Sequence, residues 1–392
     1  MSHRVFTREL TVNIEALTSR FGHIYRDLRV RKLQPRRFSE RMTCFAPCAA
    51  GKLLRRRWMP GEYAGHLRTD DPLHGYLSRD VLPGMGVTAR QVDFRVFCLK
   101  ETKVYRYEES HSRTQVVGKF FVNGSRHGSV AMERMRREFE NLQVLRGYGL
   151  AGYPHHVVRP LGTNESLNSI LVEEYCGGAP LSAFIDAAIH QERRPQLFAK
   201  LTALAYFLAT LHNRTANGHG VDFSEDCAYL DRLVKNLESK HIIGAWDAEE
   251  LYWLRDLWRE KPRMWEDRQV FVHGDATPSN FLFGEGLSVM AIDLERMRRA
   301  DRVFDLGRIA GELQHFYMQA TGNKYAAEPF ISHFLWEYAC HFPDRDRAFH
   351  SITGRIPFQM GLTLLRIARN SWVHEPHRQR LIEEAKIILR TS

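Results

Sequence analysis

The amino-acid sequence predicts an α+β protein with two lobes, a β-rich first lobe that holds one helix and a mainly helical second lobe. Three apolar and aromatic runs follow one another between residues 92 and 122, and each is rich in β-forming residues. Beyond residue 178, long apolar stripes recur with the three-to-four-residue spacing of helices. A ligand is expected in the cleft between two such lobes.

The first lobe and the strand that connects it to the second are assigned to residues 91–176. The runs "VDFRVFCLK", "KVYRYEE" and "QVVGKFFV" are predicted to form three antiparallel strands, because polar turn residues separate them. The helix is predicted from "AMERMRREFENLQVLRGYG", whose apolar residues lie three or four apart and whose end is rich in glycine. "NSILVEEYCGG" then supplies a further strand, which ends at Gly177 and Gly178.

The second lobe is assigned to residues 177–392. Four segments have the apolar stripe of a helix: "PQLFAKLTALAYFLATLHNRT", "DAEELYWLRDLWREKPRMW", "PFQMGLTLLRIARNSW" and "RLIEEAKIIL". Between the second and the third lies "FVHGDATPSNFLFGEGLSVMAIDLE", in which Gly284-Glu285-Gly286 marks the turn of a β-hairpin. We therefore expect one polar hairpin within a lobe that is otherwise helical.

Residues 1–90 form a basic N-terminal extension to which the sequence assigns no fold. Residues 1–60 hold 14 Lys/Arg and 4 Asp/Glu, and they carry the whole net charge of +10 because the rest of the chain has 42 of each sign. Residues 20–60 are candidates for binding nucleic acid or an anionic membrane surface. The alternative is a basic face that packs on the rest of the protein.

Composition argues against several classes of protein. The chain has 392 residues, 44% of them hydrophobic, but it has no uninterrupted apolar run of membrane-spanning length and no apolar leader after "MSHRVFTREL". The 6 cysteines are scattered without the pairing that a zinc site or a disulfide framework needs. We therefore expect a cytoplasmic protein with free thiols and no transmembrane segment.

Three polar side chains around the hairpin suggest chemistry on a phosphate. In a tight antiparallel pairing, Asn280 and Asp293 both fall at the open end of the hairpin. An amide oxygen and a carboxylate are ligands that Mg²⁺ uses alongside substrate phosphates. Asp275 lies in the loop just before Asn280, where it can accept the proton of an attacking hydroxyl without binding the metal.

A lysine in the first lobe fits the same chemistry. Lys119 lies in "VVGKFFV" between strand-forming apolar residues, which is an unusual place for an ammonium group without a partner. Glu138 on the following helix is a candidate partner, and the pair would bring positive charge to a nucleotide's phosphates. The alternative is an edge-strand lysine whose ammonium group reaches solvent.

These motifs together resemble the aminoglycoside phosphotransferase and choline kinase family, whose members are small-molecule kinases with a protein-kinase-like fold. The pattern H-G-D-x-x-P-x-N begins at His273 and ends at Asn280, Ile292-Asp293 follows it, and "ADRVFDL" follows that. The similarity extends over roughly residues 91–392, and several motifs agree in order and spacing. A lone H-G-D would be a weak signal.

The resemblance implies a role for each matching position. Asp275 would be the catalytic base, with Asn280 and Asp293 as Mg²⁺ ligands. His273 would support the catalytic loop, which Asp305 would brace. Lys119 and Glu138 would clamp the phosphates of ATP or GTP, and the backbone at Glu173, Glu174 and Tyr175 would contact the purine base of the nucleotide.

Three positions qualify the resemblance. The turn Lys100-Glu101-Thr102 has no glycine, so we expect the phosphate-covering loop to differ from a glycine-rich one. Glu295 stands two residues after Asp293, where it is a candidate for a second metal or for the substrate, the alternative being a salt bridge with Arg296 or Arg298. Gly274 replaces the arginine of many protein kinases, which favours a small-molecule kinase that needs no phosphorylated activation loop.

The function predicted from the sequence is therefore transfer of the γ-phosphate of a nucleoside triphosphate to a hydroxyl of a small molecule, with Mg²⁺. An aminoglycoside, a sugar, an amino alcohol or a lipid-linked glycan all remain open as acceptors. Two alternatives belong to other classes. One is a protein kinase, and the other is a non-catalytic nucleotide-binding module whose basic N-terminal region binds nucleic acid or a membrane.

Overall fold

The computed structural model describes residues 61–88, 91–100, 103–121 and 128–391. The basic segment 20–60 lies outside the described residues, as do Glu101 and Thr102 of the glycine-free turn. The strands are β1 Tyr63–His66, β2 Phe94–Lys100, β3 Val104–Glu109, β4 Gln115–Phe120, β5 Ala151–Gly152, β6 His155–Val157, β7 Pro160–Asn164, β8 Ile170–Glu174, β9 Ala179–Pro180, β10 Val270–Val272, β11 Phe281–Phe283, β12 Val289–Ala291 and β13 Arg298–Ala300.

Helices account for most of the second lobe. They are α1 Pro72–Tyr76, α2 Gly128–Gly147, α3 Leu181–His190, α4 Arg194–Thr215, α5 Ser224–Ser239, α6 Ala245–Arg259, α7 Val303–Thr321, α8 Glu328–Ala339, α9 Arg345–Thr353, α10 Ile356–Ala368 and α11 Glu375–Arg390. Within the described part of the chain, no helix has the length and the apolar character needed to cross a membrane. The predicted α+β fold class, with a β-rich first lobe and a helical second lobe, is confirmed.

The first lobe is built on a six-stranded sheet with the order β1-β2-β3-β4-β8-β7, in which every neighbouring pair is antiparallel. The three runs predicted as strands are β2, β3 and β4, and the predicted connecting strand is β8. All four predictions are confirmed. The apolar face of this sheet is buried through residues such as Phe94, Val96 and Tyr107, because alternate side chains of each strand point the same way.

Strand β1 comes from the segment to which the sequence assigned no fold. It pairs with β2 along the edge of the sheet, with Tyr63 opposite Phe97. The segment that follows it buries Leu67, Leu73 and Leu77 in the same apolar cluster as the sheet. Residues 63–77, which the sequence placed in the N-terminal extension, thus pack with the sheet of the first lobe, whereas residues 1–60 lie outside the described part of the chain.

Helix α2 follows strand β4 in the chain. It begins three residues before the predicted segment. Its predicted apolar stripe is confirmed at Met135, Leu142 and Leu145, which are fully buried. Glu138 lies in the same stripe and is also fully buried. A carboxylate is rarely buried unless it is paired. We therefore expect a partner for Glu138 on this face of α2.

The second lobe contains the predicted helices and the predicted hairpin. The four helical segments correspond to α4, α6, α10 and α11. The hairpin is formed by β11 and β12 with Phe281 opposite Ala291, which is the register predicted from the turn. Strand β9 pairs with β11, and β6 runs parallel to β12, so the hairpin lies at the centre of a second, five-stranded sheet.

Helices α7 and α10 approach each other unusually closely through two glycines of α7. A Cβ atom at Gly307 would lie 2.3 Å from Cβ of Gln359, and one at Gly311 would lie 2.7 Å from Cβ of Thr363. Gly307 and Gly311 are four residues apart and therefore lie on one face of α7. The absence of side chains at these two positions sets the distance between the two helices.

We predict that Gly311→Ala lowers the free energy of unfolding by about 1–3 kcal/mol, because the added methyl group overpacks the contact with α10. Gly147→Ala is the matched control. It replaces a helical glycine at a place where a Cβ would meet no described atom within 4 Å, so helix propensity makes it neutral or slightly stabilising. Guanidinium unfolding of both variants measures the difference. Equal stability of the two would contradict the close helix contact.

Candidate active site

Lys119 makes two ion pairs, one within the first lobe and one to the second lobe. Its Nζ atom lies 2.6 Å from Oε2 of Glu138 on α2 and 2.5 Å from Oδ1 of Asp293, which follows the hairpin. The lysine projects from β4, and its side chain is 18% exposed. The side chain does not extend to solvent as an edge-strand lysine would. It has instead the carboxylate partner on α2 that the sequence suggested.

The charge states of this group follow from burial and from the short contacts. Burial alone would lower the pKa of Lys119, but the carboxylates of Glu138 and Asp293 raise it above the usual lysine value. Burial raises the pKa of Glu138, and Lys119 opposes that rise. Lys119 is therefore a permanent cation at neutral pH, held beside acidic groups that compete for it.

One polar face of α2 holds the segment that follows the hairpin. Arg134 donates to Oε2 of Glu295 at 2.6 Å, and Asn141 donates to the carbonyl of Leu294 at 2.8 Å. Glu138 lies between these two residues on the same face of the helix, since positions four and three apart are neighbours. Three consecutive residues, Asp293 to Glu295, are therefore linked to α2, either directly or through Lys119.

Asn280 and Asp293 lie at the open end of the hairpin, as predicted. The backbone N–H of Ile292 donates to the carbonyl of Asn280 at 3.0 Å, which places Asp293 one residue beyond the last pair. The Nδ2 of Asn280 donates to the carbonyl of Asp275 at 2.9 Å. This bond uses the amide nitrogen and leaves the Oδ1 atom as the end of Asn280 that is suited to a cation.

Asp293 has a left-handed backbone conformation, with φ of +65°. Aspartate tolerates this conformation better than most residues. Carboxylate oxygens of Glu138, Asp293 and Glu295 all lie within 4.8 Å of one another. Glu295 pairs with Arg134, and its Oε1 lies 3.8 Å from Nε of Arg296. The salt bridge suggested with Arg296 is thus present at long range.

Asp275 stands between two guanidinium groups. Its Oδ2 lies 3.9 Å from Nη1 of Arg296, and its Oδ1 lies 3.9 Å from Nη1 of Arg366 on α10. The Oδ1 atom is buried and has no hydrogen-bond partner among the described residues. Arg296 contacts both Asp275 and Glu295 and so connects the candidate base with the carboxylates near Lys119.

Asp305, at the start of α7, holds the loop that carries Asp275. Its fully buried carboxylate accepts the backbone N–H groups of His273 at 2.6 Å and Gly274 at 3.1 Å. Burial alone would raise the pKa of Asp305, but the bond from His212 and the backbone donors hold it below the usual value. These bonds fix the backbone at His273 and Gly274, and the structural role that the resemblance implied for Asp305 stays a prediction.

Two further residues fix the path of this loop. The Nε2 of His273 lies 3.0 Å from the carbonyl of Ile292, and its Nδ1 lies 3.4 Å from the backbone nitrogen of Asp275. Gly274 has φ of +79°, and a Cβ there would lie 2.0 Å from the backbone oxygen of Arg296. Only glycine fits this position, because both the conformation and the contact exclude a side chain.

The predicted base-binding strand is present, but part of its backbone is used within the sheet. The N–H of Glu174 donates to the carbonyl of Arg159 at 3.0 Å, and the N–H of Tyr175 donates to Gln115 at 3.4 Å. Glu173 pairs with Val117 in the adjacent strand. A contact of these three residues with a nucleotide base stays a prediction.

Several site residues were missed in the sequence. Arg134 and Asn141 could have been found, because they share a helical face with Glu138. Arg366 could not, since it comes from a distant helix whose sequence resembles an ordinary apolar stripe. Arg296 was named only as a partner for Glu295, and its contact with Asp275 depends on the fold.

Comparison with solved structures shows that the two-lobed fold described above is shared with known proteins. A choline kinase from Cryptosporidium parvum Iowa II matches with a TM-score of 0.55 and 11% identity, covering 81% of this chain and 94% of that chain. A Plasmodium vivax ethanolamine kinase has a TM-score of 0.49 and 13% identity, covering 76% and 83% of the two chains. The ternary complex of streptomycin, ATP and APH(2")-IIa has a TM-score of 0.48 and 13% identity, covering 83% and 98%.

The comparison with family models identifies the family. No curated protein sequence matches the chain. The model described as the phosphotransferase enzyme family (APH) matches residues 102–340, which is more than half of the chain. The matched residues include strand β4 with Lys119, helix α2, the hairpin and the loop that carries Asp275. The chain therefore belongs to the phosphotransferase enzyme family, as the motifs had indicated.

Proposed function

We propose that this protein transfers the γ-phosphate of ATP or GTP to a hydroxyl group of a small molecule in a Mg²⁺-dependent reaction, in the cytoplasm. The observation that carries the proposal is the pair of contacts made by Lys119. They connect a lysine of the sheet with Glu138 and with Asp293, the carboxylate next to the hairpin. Phosphoryl transfer needs a cation for the phosphates beside a carboxylate for the metal.

The donor atoms near the hairpin fit Mg²⁺. Oδ1 of Asn280 and the carboxylates of Asp293 and Glu295 are hard oxygen ligands, which Mg²⁺ prefers over nitrogen or sulfur. The hydrogen bond from Asn280 to Asp275 orients the amide, and its oxygen accepts only a long bond of 3.4 Å from the Ser279 hydroxyl among the described residues. We assign Asn280 and Asp293 as the ligands and Glu295 as a further candidate. The metal would neutralise charge on the transferred phosphate.

Asp275 is the proposed catalytic base. It accepts the proton of the acceptor hydroxyl while the hydroxyl oxygen bonds to the γ-phosphorus, and the bond to the bridging oxygen breaks as the nucleoside diphosphate leaves. The loop that carries Asp275 is held by Asp305, so the carboxylate needs little reorganisation. Lys119 binds the phosphates of the nucleotide, and the backbone near Glu173, Glu174 and Tyr175 contacts its purine base.

Glu173 has an unusual environment in this scheme. It is 6% exposed, its Oε1 atom has no hydrogen-bond partner among the described residues, and it shares the influence of Lys119 with Glu138 and Asp293. Burial raises the pKa of Glu173 to about 8, and the negative charge of Glu138 contributes to the rise. Glu173 is therefore protonated at neutral pH, which reduces the repulsion among the three acids.

We predict that Asp275→Asn lowers kcat for phosphate transfer by about 10²–10⁴-fold, because the amide cannot accept the proton. The affinity for nucleotide should change little, since the substitution preserves shape. A coupled assay of ADP release and a calorimetric titration with ATP measure the two quantities. Asp231→Asn, which changes a carboxylate paired with Arg255, is the control. Unaltered turnover in Asp275→Asn would refute the assignment.

Mg²⁺ should strengthen ATP binding, because Asn280 and Asp293 would hold the metal and its charge would offset that of the phosphates. Removal of Mg²⁺ with EDTA is expected to weaken ATP binding at least about tenfold, as charge-assisted contacts are worth more than 1 kcal/mol. In Asp293→Asn the difference between the two conditions should shrink. Calorimetric titration of both proteins, with and without the metal, gives the comparison. Metal-independent binding would argue against these ligands.

Glu173→Gln should stabilise the protein increasingly as the pH rises. Between its ordinary value of 4.5 and about 8, the folded state keeps a proton that the unfolded state releases. The wild type therefore loses stability across this window, on the order of 3 kcal/mol. The glutamine cannot ionise and avoids the loss. Urea unfolding at pH 5, 6.5 and 8 measures this, with Glu174→Gln as control, and a pH-independent difference would contradict it.

A further inference from the structure

One arginine lies beside each carboxylate oxygen of Asp275. Arg366 and Arg296 approach its two oxygens at 3.9 Å each, which is close enough for strong attraction but too long for a hydrogen bond. Arg366 is 13% exposed and comes from α10, whereas Arg296 is half exposed and follows the hairpin. Positive charge therefore flanks the candidate base from two different parts of the fold.

A third arginine lies behind Arg366. Arg308 on α7 is 3% exposed, and its charge acts on Arg366 across the contact between α7 and α10. Glu312, one turn further along α7, accepts a hydrogen bond from Nη2 of Arg366. Arg366 is thus hydrogen-bonded to Glu312, and the charge of Arg308 also acts on this buried carboxylate. Nη1 of Arg308 and Nε of Arg366 have no hydrogen-bond partner among the residues described.

This arrangement leaves buried N–H donors of Arg308 and Arg366 unused by the part of the chain that the structure describes. Burial lowers the pKa of Arg366, the neighbouring charge of Arg308 lowers it further, and Glu312 and Asp275 oppose the change. An arginine nonetheless remains charged in a protein. Buried cations with unused N–H donors are costly unless an anion pairs with them. A planar guanidinium donates two parallel bonds to a carboxylate or a phosphate, which is the geometry best suited to close this gap.

We propose that the acceptor of this kinase carries an anionic group, a phosphate or a carboxylate, in addition to the hydroxyl that is phosphorylated. Arg366 and Arg296 bind that group on either side of Asp275, and Arg308 adds its charge from behind. This inference rests on the proposed function. Asp275 remains the base, so its own charge is engaged with the hydroxyl proton and is not the anchor for the acceptor.

The same geometry disfavours a cationic acceptor. An amine placed next to Asp275 would face the guanidinium groups of Arg296 and Arg366, and like charges at such distances repel. Glu312 offers little compensation, because it already accepts a hydrogen bond from Arg366. The arginines thus provide both the attraction for an anion and the repulsion that excludes amines.

The test uses two series of acceptors, and the members of each series are similar in size but differ in charge. Glucose, glucose 6-phosphate, glucuronate and glucosamine form one set, and glycerol, glycerol 3-phosphate, glycerate and 2-amino-1,3-propanediol form another. ADP release with saturating Mg-ATP gives kcat/KM for each compound. We expect the anionic members to exceed their neutral and cationic counterparts by about tenfold or more, as for sites built to bond a particular group. The phosphate and carboxylate members distinguish the two kinds of anion.

Variants connect the preference to the arginines. Arg296→Gln changes a half-exposed side chain, so the protein should fold, and the double variant Arg366→Gln with Glu312→Gln removes a buried ion pair without leaving a lone carboxylate. Both should reduce the ratio of kcat/KM for anionic to neutral acceptor. Arg255→Gln is the control, because Arg255 is also largely buried but pairs with Asp231 and Asp256.

The outcomes separate this inference from the proposed function. A preference for anionic acceptors that falls in both arginine variants but persists in Arg255→Gln supports the inference. If no anionic member exceeds its neutral counterpart, or if the ratio does not change in the arginine variants, the inference is wrong while nucleotide binding leaves the proposed function standing. Failure to bind Mg-ATP at all would overturn both.

Discussion

The ammonium group of Lys119 is the interaction on which the arrangement of the site depends. It connects strand β4 with the neighbouring helix α2 through Glu138, and both with the end of the hairpin through Asp293, which lies 174 residues further along the chain. Without this cation, the acids around it would repel one another in a poorly solvated place. The positions of the sheet and of the hairpin are thus coupled by charge as well as by packing, and the same cation is the one that we assign to the phosphates.

The sequence predicted those parts of the fold that depend on neighbouring residues. The strands β2, β3 and β4, the helix α2 and the hairpin follow from local periodicity and turn residues, and Asp275, Asn280 and Asp293 fall close together in the chain. Strand β1 has only four residues and lies at an edge, so it leaves no clear period. Arg366 reaches Asp275, and Arg308 lies near Arg366, only because α7 and α10 pack together, which no short motif encodes.

The two sides of the proposed reaction differ in charge. Toward the nucleotide, one lysine faces several carboxylates, and the acidic excess suits a divalent cation. Toward the proposed acceptor, Arg296 and Arg366 face Asp275, and Arg366 also pairs with Glu312. Asp275 lies where these regions meet, joined to both by Arg296. The family match accounts for the first region, because its motifs are those of phosphotransferases, whereas the second region is formed by residues outside those motifs.

Gly274 has a consequence for how this enzyme can change over evolutionary time. A methyl group at this position would collide with the backbone of the residue that follows Glu295, so every single-nucleotide change to another amino acid is penalised before its effect on chemistry matters. Gly274 is therefore held by sterics alone, whatever the substrate. Variation that keeps the loop intact falls instead on side chains around it, such as the half-exposed Arg296.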